Sequence, residues 1–110
     1  MAYPVEQRLA AQADGVEAFA AKCDIIGVDR AAEWYNGLQD AINAIGEFPG
    51  SHPLARESEA VPGLRQKLYG KGRDVWRIVF HVRHDVVWVL RIRHAAQETL
   101  MPEEMELPQP

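Results

Sequence analysis

The sequence predicts a small α+β domain, in which an N-terminal helical hairpin packs on one face of a small antiparallel β-sheet. Two stretches of helical periodicity come first in the 110 residues, a loop rich in proline and glycine follows, and three β-rich runs come last. The length suits one domain, and 47% hydrophobic with 25% charged residues is typical of a folded one.

The N-terminal half predicts a short edge strand and two helices. Residues 3–8 contain Pro4 and fit only an edge strand. Helical spacing then predicts a helix over about residues 8–23, whose core-facing stripe is Leu9, Ala13, Val16, Ala20 and Cys23. Asp29 stands at the N-cap position of a second helix, which carries Trp34 toward the core and ends at Gly46 in the left-handed conformation.

The C-terminal half predicts a connecting loop and a β-meander. Residues 47–63 contain three prolines and two glycines, so neither a helix nor a central strand runs through them. Three strands are predicted over residues 64–69, 75–83 and 86–93. A glycine-containing turn joins the first two, and a tight turn at His84 and Asp85 joins the last two.

Alternation along these strands predicts two faces of opposite character. The face toward the helices carries the apolar residues Leu64, Leu68, Trp76, Ile78, Phe80, Val82, Val86, Trp88, Leu90 and Ile92. The other face, expected to be uncovered, carries Arg65, Lys67, Tyr69, Arg77, His81, Arg83, Arg91 and Arg93.

Charge is concentrated in the same segment. Residues 64–94 contain eight Lys and Arg and only two Asp, although the whole chain carries a net charge of −4. A wall of like charges favours an anionic partner that neutralises it. The alternative is that these cations pair with the chain's own carboxylates, including Glu103, Glu104 and Glu106 of the tail.

The residue types narrow the possible chemistry to the basic cluster. We expect no metal and no cofactor, because His81 and His84 point to opposite faces and the glycine-rich turn does not open a helix. Closely spaced cations suit metal-free RNA cleavage, which needs a base, a neutralised phosphorane and an acid. Lys67, whose pKa neighbouring arginines would lower, is the candidate base, and His94 is a candidate acid or merely a strand-end hydrogen-bonding residue.

Four segments in order carry a resemblance to a known family: LRQKLYG, VWRIVFHV, DVVWVL and RIRHAAQETL, which follow the two helices and the proline-rich loop. Over residues 3–100 the chain resembles the RelE/ParE superfamily of type II toxin-antitoxin toxins. The resemblance implies a growth-inhibiting toxin that a cognate antitoxin protein holds inactive. RelE-like members cut mRNA on the ribosome without a metal, whereas ParE-like members inhibit DNA gyrase.

The resemblance also assigns candidate site residues. We expect a RelE-like, ribosome-dependent endoribonuclease that inhibits translation, with Arg65, Lys67, Arg77, Arg93 and His94 as its catalytic residues. The concentration of charge adds Lys71, Arg73, His81, Arg83 and Arg91 as candidate nucleic-acid-binding residues. The sequence departs from the pattern of the nuclease branch, because Gln97 replaces an arginine and no tyrosine follows Tyr69. These departures support two alternatives: a non-catalytic gyrase inhibitor, and a degenerate toxin that retains only antitoxin binding.

The remaining expectations concern organisation and location. We expect one toxin domain over residues 1–100 and a flexible, acidic, proline-rich tail over residues 101–110. Cys23 is the single cysteine, and no apolar leader or membrane-spanning run is present, so we expect a cytoplasmic protein with no membrane partner.

Overall fold

The structure is a computed structural model that describes residues 2–108. Two helices lie on one face of a four-stranded sheet, which confirms the α+β fold class. The elements in chain order are β1 (Val5–Gln7), α1 (Leu9–Ile26), α2 (Val28–Ala44), β2 (Arg65–Lys71), β3 (Asp74–Arg83) and β4 (Val86–His94). Within residues 2–108, neither helix combines the length and hydrophobicity needed to cross a membrane.

The sheet has the strand order β1-β4-β3-β2 and is mixed. The predicted meander of β2, β3 and β4 is confirmed, and the predicted edge strand is present as β1, which pairs in parallel with β4. His84 and Asp85 have φ values of 53° and 61°. Two positive φ angles in succession match the twist of a two-residue hairpin turn, so this predicted turn is also confirmed.

The two helices are joined by a single glycine. Gly27 has a φ of +87°, which glycine adopts without strain, and it lets α2 begin immediately after α1. It occupies the N-cap position that we expected for Asp29, which instead lies in the first turn of α2. Gly46 does not take the predicted left-handed conformation. It is buried, and its carbonyl accepts a hydrogen bond from the backbone N–H of Tyr3.

Helix α1 turns a different face inward from the one that its apolar stripe predicted. Leu9 is 75% exposed and Val16 is 57% exposed, whereas Ala11, Gly15 and Ala18 are buried. Small residues let the helix approach its neighbours closely: a Cβ at Gly15 would already lie in van der Waals contact with Tyr35 and Ile92. The prediction was wrong because close approach, rather than the hydrophobicity of the stripe, sets the orientation of α1.

Strand β2 also faces the opposite way from the prediction. Its register places Lys67 opposite Ile78 and Tyr69 opposite Trp76, so the odd-numbered residues of β2 share the helix side of the sheet. The Tyr69 hydroxyl donates to the carbonyl of Trp34 on α2, at 2.7 Å. Leu64 and Leu68, which we expected on the helix side, therefore lie on the other face.

A β-bulge reverses the alternation within β4. Val79 pairs with Arg91 but Phe80 pairs with Val89, so Leu90 is an extra residue on β4. Beyond the bulge, Val87 and Val89 join the helix-side core, and Val86, Trp88 and Leu90 do not. On β3, where no extra residue intervenes, the predicted inward residues Trp76, Ile78, Phe80 and Val82 do pack with the helices.

The face of the sheet turned away from the helices, here called the second face, is covered rather than open. A second apolar cluster lies on it, formed by Ala55, Leu64, Val79, Leu90, Leu100 and Met105. Its cover comes from the loop that precedes β2 and from residues 100–107, here called the C-terminal strap. Leu100 is 2% exposed and Met105 is 5% exposed, so the strap packs on the domain and the boundary drawn at residue 100 falls inside this layer. The expected tail residues 109 and 110 lie outside the described residues.

The close approach at Gly46 yields a test of the fold. A Cβ added at Gly46 would collide with the backbone oxygen of Tyr3, whereas one added at Gly50 meets nothing within 4 Å. We expect Gly46→Ala to lower the free energy of unfolding by about 1–3 kcal/mol, the usual cost of overpacking. Gly50→Ala is the matched control and should shift it by less than about 0.5 kcal/mol. Equal effects of the two substitutions in a urea titration would contradict the tight seating of β1 against the end of α2.

Candidate functional site: the arginines of the second face

Arg77, the central arginine of the sheet, is buried in an ion pair. It lies on β3 at 1% exposure, and both its Nη atoms donate to the carboxylate of Glu57, at 2.9 and 2.8 Å. Glu57 is also 1% exposed and comes from the 3₁₀ turn Arg56–Glu59, the second of two such turns in the loop before β2. The paired geometry satisfies both charges, so we correct the expectation that Arg77 projects from an open wall.

The carboxylate of Glu57 has a strongly perturbed pKa. Burial alone would raise it, but the hydrogen bonds from Arg77 and from the backbone N–H of Leu100 outweigh burial and lower the pKa to about 2. The bond from Leu100 is 2.9 Å long and ends on Oε2. Glu57 therefore ties the loop, the central strand and the beginning of the C-terminal strap to one charged group.

Arg91 is held by a carboxylate from α1. Its Nε and Nη2 donate to Asp14 at 2.7 and 2.9 Å, and the backbone N–H of Ile92 donates to the same carboxylate at 2.9 Å. The side-chain hydrogen bonds between Arg91 and Asp14 outweigh burial and raise the pKa of Arg91. Asp14 lies on the inward side of α1, which is a further reason why that side does not coincide with the apolar stripe.

Arg93 is directly opposite Arg77 in the sheet and faces the C-terminal strap. Its Nη1 lies 3.9 Å from Oε1 of Glu104, and its Nη2 donates to the carbonyl of Glu98 at 3.4 Å. Glu104 also accepts a 2.9 Å bond at its backbone oxygen from Arg91. The alternative weighed from the sequence, pairing with the chain's own carboxylates, therefore holds for three of these cations: Arg93 approaches Glu104 of the tail, whereas Arg77 and Arg91 pair with Glu57 and Asp14.

Arg65 and Lys67 of β2 lie on the helix side. Lys67 donates from Nζ to the backbone oxygen of Ala41 on α2, at 2.8 Å, and burial lowers the pKa of this lysine. Arg65 donates from Nη1 to the backbone oxygen of His52, at 2.6 Å. Burial lowers the pKa of His52, and the charges of Lys67 and Arg65 lower it further. A basic cluster of three residues thus forms at the β2 edge, separated by the sheet from Arg77.

His94 closes the end of β4 on the helix side. Its Nδ1 accepts the N–H of Ala96 at 3.1 Å, and its Nε2 lies 3.7 Å from Oδ1 of Asp74. The ring packs edge-on against Trp76, with 5.2 Å between centroids. Gln97, which stands where the resemblance would place an arginine, accepts the backbone N–H of His94 at 2.8 Å. Both ring nitrogens thus face groups of the protein.

The other predicted nucleic-acid-binding residues lie apart from one another. Lys71 and Arg73 are exposed at the β2–β3 turn, and Arg83 lies at the far end of β3 beside the β3–β4 turn. His81 is half-buried on the second face, where burial and then the charge of Arg83 lower its pKa. Among residues 2–108, no carboxylate lies within ion-pair distance of Lys71, Arg73 or Arg83.

The structure thus brings together only part of the predicted site. Arg77, His81, Arg83, Arg91 and Arg93 share the second face as predicted, but that face is covered. Arg65, Lys67 and His94 lie on the other side of the sheet. Within the described range 2–108, no group of three or more His, Cys, Asp or Glu residues is arranged to hold a metal ion.

Comparisons with known proteins identify the fold. No family model matches the chain, and no curated protein matches it in sequence. A solved structure of a chromosomal ParDE toxin-antitoxin system from P. aeruginosa superposes with a TM-score of 0.71 at 20% identity, covering 84% of this chain and 95% of that one. An arginine-substituted E. coli toxin RelE in the free state superposes with a TM-score of 0.59 at 17% identity, covering 87% and 86%. The chain has the RelE/ParE fold.

Two residues that position the arginines of this RelE/ParE fold escaped the sequence analysis. Glu57 lies in a loop that we interpreted as a connector. The residues around it do not distinguish it from an exposed loop glutamate. Asp14 carried a weak signal, since it lies three residues after Ala11 and four before Ala18, on the stripe of small residues that is buried. A polar residue on such a stripe indicates a partner across the interface.

The buried pair predicts a large structural role for Arg77. Arg77→Ala would leave the Glu57 carboxylate buried without its partner, so we expect the free energy of unfolding to fall by about 3–5 kcal/mol. Arg73→Ala, in the exposed turn, is the matched control and should change it by no more than about 0.5 kcal/mol. Chemical denaturation followed by circular dichroism measures both.

A second variant separates charge from packing. The double variant Glu57→Gln with Arg77→Met removes both charges while keeping an acceptor for the Leu100 N–H, and it should be more stable than Arg77→Ala alone. If Arg77→Ala is as stable as Arg73→Ala, the ion pair contributes nothing to the free energy of unfolding. Arg77 would then be available to bind a ligand.

Proposed function

We propose that this chain is the toxin of a type II toxin-antitoxin pair and that a cognate antitoxin protein is its partner. The RelE/ParE fold supports this proposal, because the solved structures that share it are those of a ParDE toxin-antitoxin system and of the toxin RelE. The order of the four resembling segments along the sequence supports it independently. The exposed apolar residues Leu9 and Val16 of α1 supply surface that a partner protein can cover.

We further propose that the toxin acts by binding its target rather than by cutting RNA. The observation that carries this choice is the burial of Arg77 against Glu57, at 1% exposure for each residue. Metal-free cleavage of RNA requires several cations around one phosphate. Here the sheet separates Lys67 from Arg77, and carboxylates hold Arg77 and Arg91. DNA gyrase is the target that the resemblance gives for the non-catalytic branch.

One observation favours a second candidate, a ribosome-dependent mRNA endonuclease. Burial lowers the pKa of Lys67, and the cluster of His52, Arg65 and Lys67 lies on an edge strand. A lysine with a lowered pKa is a better general base than an ordinary one. This candidate would use the β2 edge and leave the second face out of the chemistry.

The two candidate functions predict different results in a gyrase assay and in a ribosome assay. In a supercoiling assay with purified DNA gyrase, the binding toxin should inhibit supercoiling and trap broken DNA. With translating ribosomes it should leave mRNA 5′ ends unchanged. New 5′ ends within the message, together with normal supercoiling, would establish the endonuclease and contradict binding without cleavage.

A conservative substitution sharpens this comparison. Lys67→Arg keeps the positive charge and a donor for Ala41 but removes a usable base, because arginine stays protonated. The binding toxin should inhibit growth as strongly after this substitution as before, whereas an endonuclease based on Lys67 should lose at least tenfold in cleavage. A wild-type chain that inhibits neither gyrase nor translation nor growth would contradict both candidates and would fit a degenerate toxin.

A further inference from the structure

A cavity of about 700 Å³ lies on the helix side of the sheet, between the helical hairpin and the β2–β3 turn, and is here called the hairpin cavity. Its walls are the C-terminal half of α1, the N-terminal half of α2, and the end of β2 with the first residue of β3. Protein pockets of this volume hold small organic molecules. The proposed function uses none of the residues that line it.

Three walls of the hairpin cavity each supply a cation: Lys22 from α1, Arg30 from α2 and Lys71 from β2. Lys22 is largely buried, and its Nζ pairs with the carboxylate of Asp74. Arg30 and Lys71 are exposed, and in the described part of the chain no carboxylate lies within ion-pair distance of either. Two cations that are distant in sequence are therefore available to an anion that enters the cavity.

The acidic groups of the hairpin cavity do not cancel this attraction. Asp74 is engaged at both oxygens, because Oδ2 accepts from Lys22 and Oδ1 accepts from Nε1 of Trp76 at 2.9 Å. Burial would raise the pKa of Asp74, but these hydrogen bonds outweigh burial and lower it. Glu33, the other acid of the lining, is exposed on α2. Three cations against two carboxylates leave the lining with a net positive charge, which favours an anionic ligand.

An aromatic wall adjoins these charges. The rings of Trp34 and Tyr69 have centroids 5.8 Å apart, and the Tyr69 hydroxyl is bound to the carbonyl of Trp34. A Cβ at Gly37 would collide with that hydroxyl, so α2 and Tyr69 are already in close contact. Lys22 Nζ lies 4.7 Å from the centroid of the Trp34 ring, and Ile26 adds aliphatic surface. Because the wall is fixed before a ligand arrives, binding orders few side chains.

We infer that the hairpin cavity binds a small organic anion with a planar apolar body. The apolar body packs on Trp34, Tyr69 and Ile26, and Arg30 and Lys71 hold the anionic group. The inference does not draw on the toxin assignment, because it depends only on groups of the cavity. A free aromatic acid and a nucleotide both have this chemistry, and the experiment distinguishes between them.

The probe is 8-anilinonaphthalene-1-sulfonate, a planar aromatic anion whose fluorescence rises when it leaves water. We expect one site per folded chain. The double variant Arg30→Ala with Lys71→Ala should bind the dye about tenfold more weakly, since it removes both available cations. Arg73→Ala is the matched control, because it removes an exposed cation of the same β2–β3 turn that does not line the cavity. Both cations of the double variant are exposed, so circular dichroism should show an intact fold.

A second matched pair tests the apolar wall. Ile26 lines the hairpin cavity, whereas its neighbour Ile25 does not and is 80% exposed. Ile26→Ser should weaken dye binding, and Ile25→Ser should leave it unchanged. The neutral dye N-phenyl-1-naphthylamine has a similar apolar body without the sulfonate. It should bind the wild-type chain and the double variant equally, because the two cations act on the anionic group.

Competition then identifies the source of the ligand. Indole-3-acetate represents the aromatic acids and adenosine monophosphate the nucleotides, and the one that displaces the dye at the lower concentration shows which anionic group the site prefers. Failure of both to displace the dye would overturn the inference.

Two further results would also overturn it, whatever the gyrase and ribosome assays show. One is a double variant that binds the dye as tightly as the wild-type chain. The other is an equal loss of dye binding in Lys71→Ala and Arg73→Ala, together with displacement of the dye by a single-stranded oligonucleotide. That result would indicate an open polyanion surface in place of a cavity for one small molecule.

Discussion

The ion pair between Glu57 and Arg77 is the interaction on which the rest of the arrangement depends. It places one arginine of a basic strand inside the protein and brings a carboxylate from a distant loop to meet it. The same carboxylate accepts the N–H of Leu100, so the loop before β2 and the C-terminal strap converge on one point of the sheet. Burying either charge alone would cost several kcal/mol, so the three segments are expected to order together.

Much of the fold follows from the sequence, because local periodicity determines it. The two helices, the meander and the turn at His84 and Asp85 depend on residues close in sequence, and all were predicted. The orientation of α1 was not, because Gly15 and Asp14 set it through contacts with Tyr35 and Arg91, far away in sequence. The predicted alternation of inward and outward residues along β4 is wrong from Leu90 toward the N-terminal end of the strand for a related reason. The bulge at Leu90 is visible only from the pairing of β4 with β3.

The candidate site was harder to predict than the fold. Alternation placed Arg77, Arg91 and Arg93 on one face correctly, but nothing in the pattern shows that the same face also carries Leu64, Val79 and Leu90 and is covered. An isolated glutamate in a proline-rich loop has no signature of a buried partner. The charge excess of residues 64–94 is real, yet three of its cations, Arg77, Arg91 and Arg93, are paired with acids from the loop, α1 and the strap, which the sequence separates widely.

These features bear on how such a protein can act. Arg77, Arg91 and Arg93 are each held by an intramolecular carboxylate and do not converge on one phosphate. A surface with apolar anchors and charged groups suits recognition of another protein. This account therefore depends on whether Arg77 is engaged internally in solution. An NMR titration of the Glu57 side-chain carboxyl carbon measures this directly. The account predicts a pKa near 2, as the ion pair requires, and a midpoint at the ordinary value of about 4.3 would contradict it.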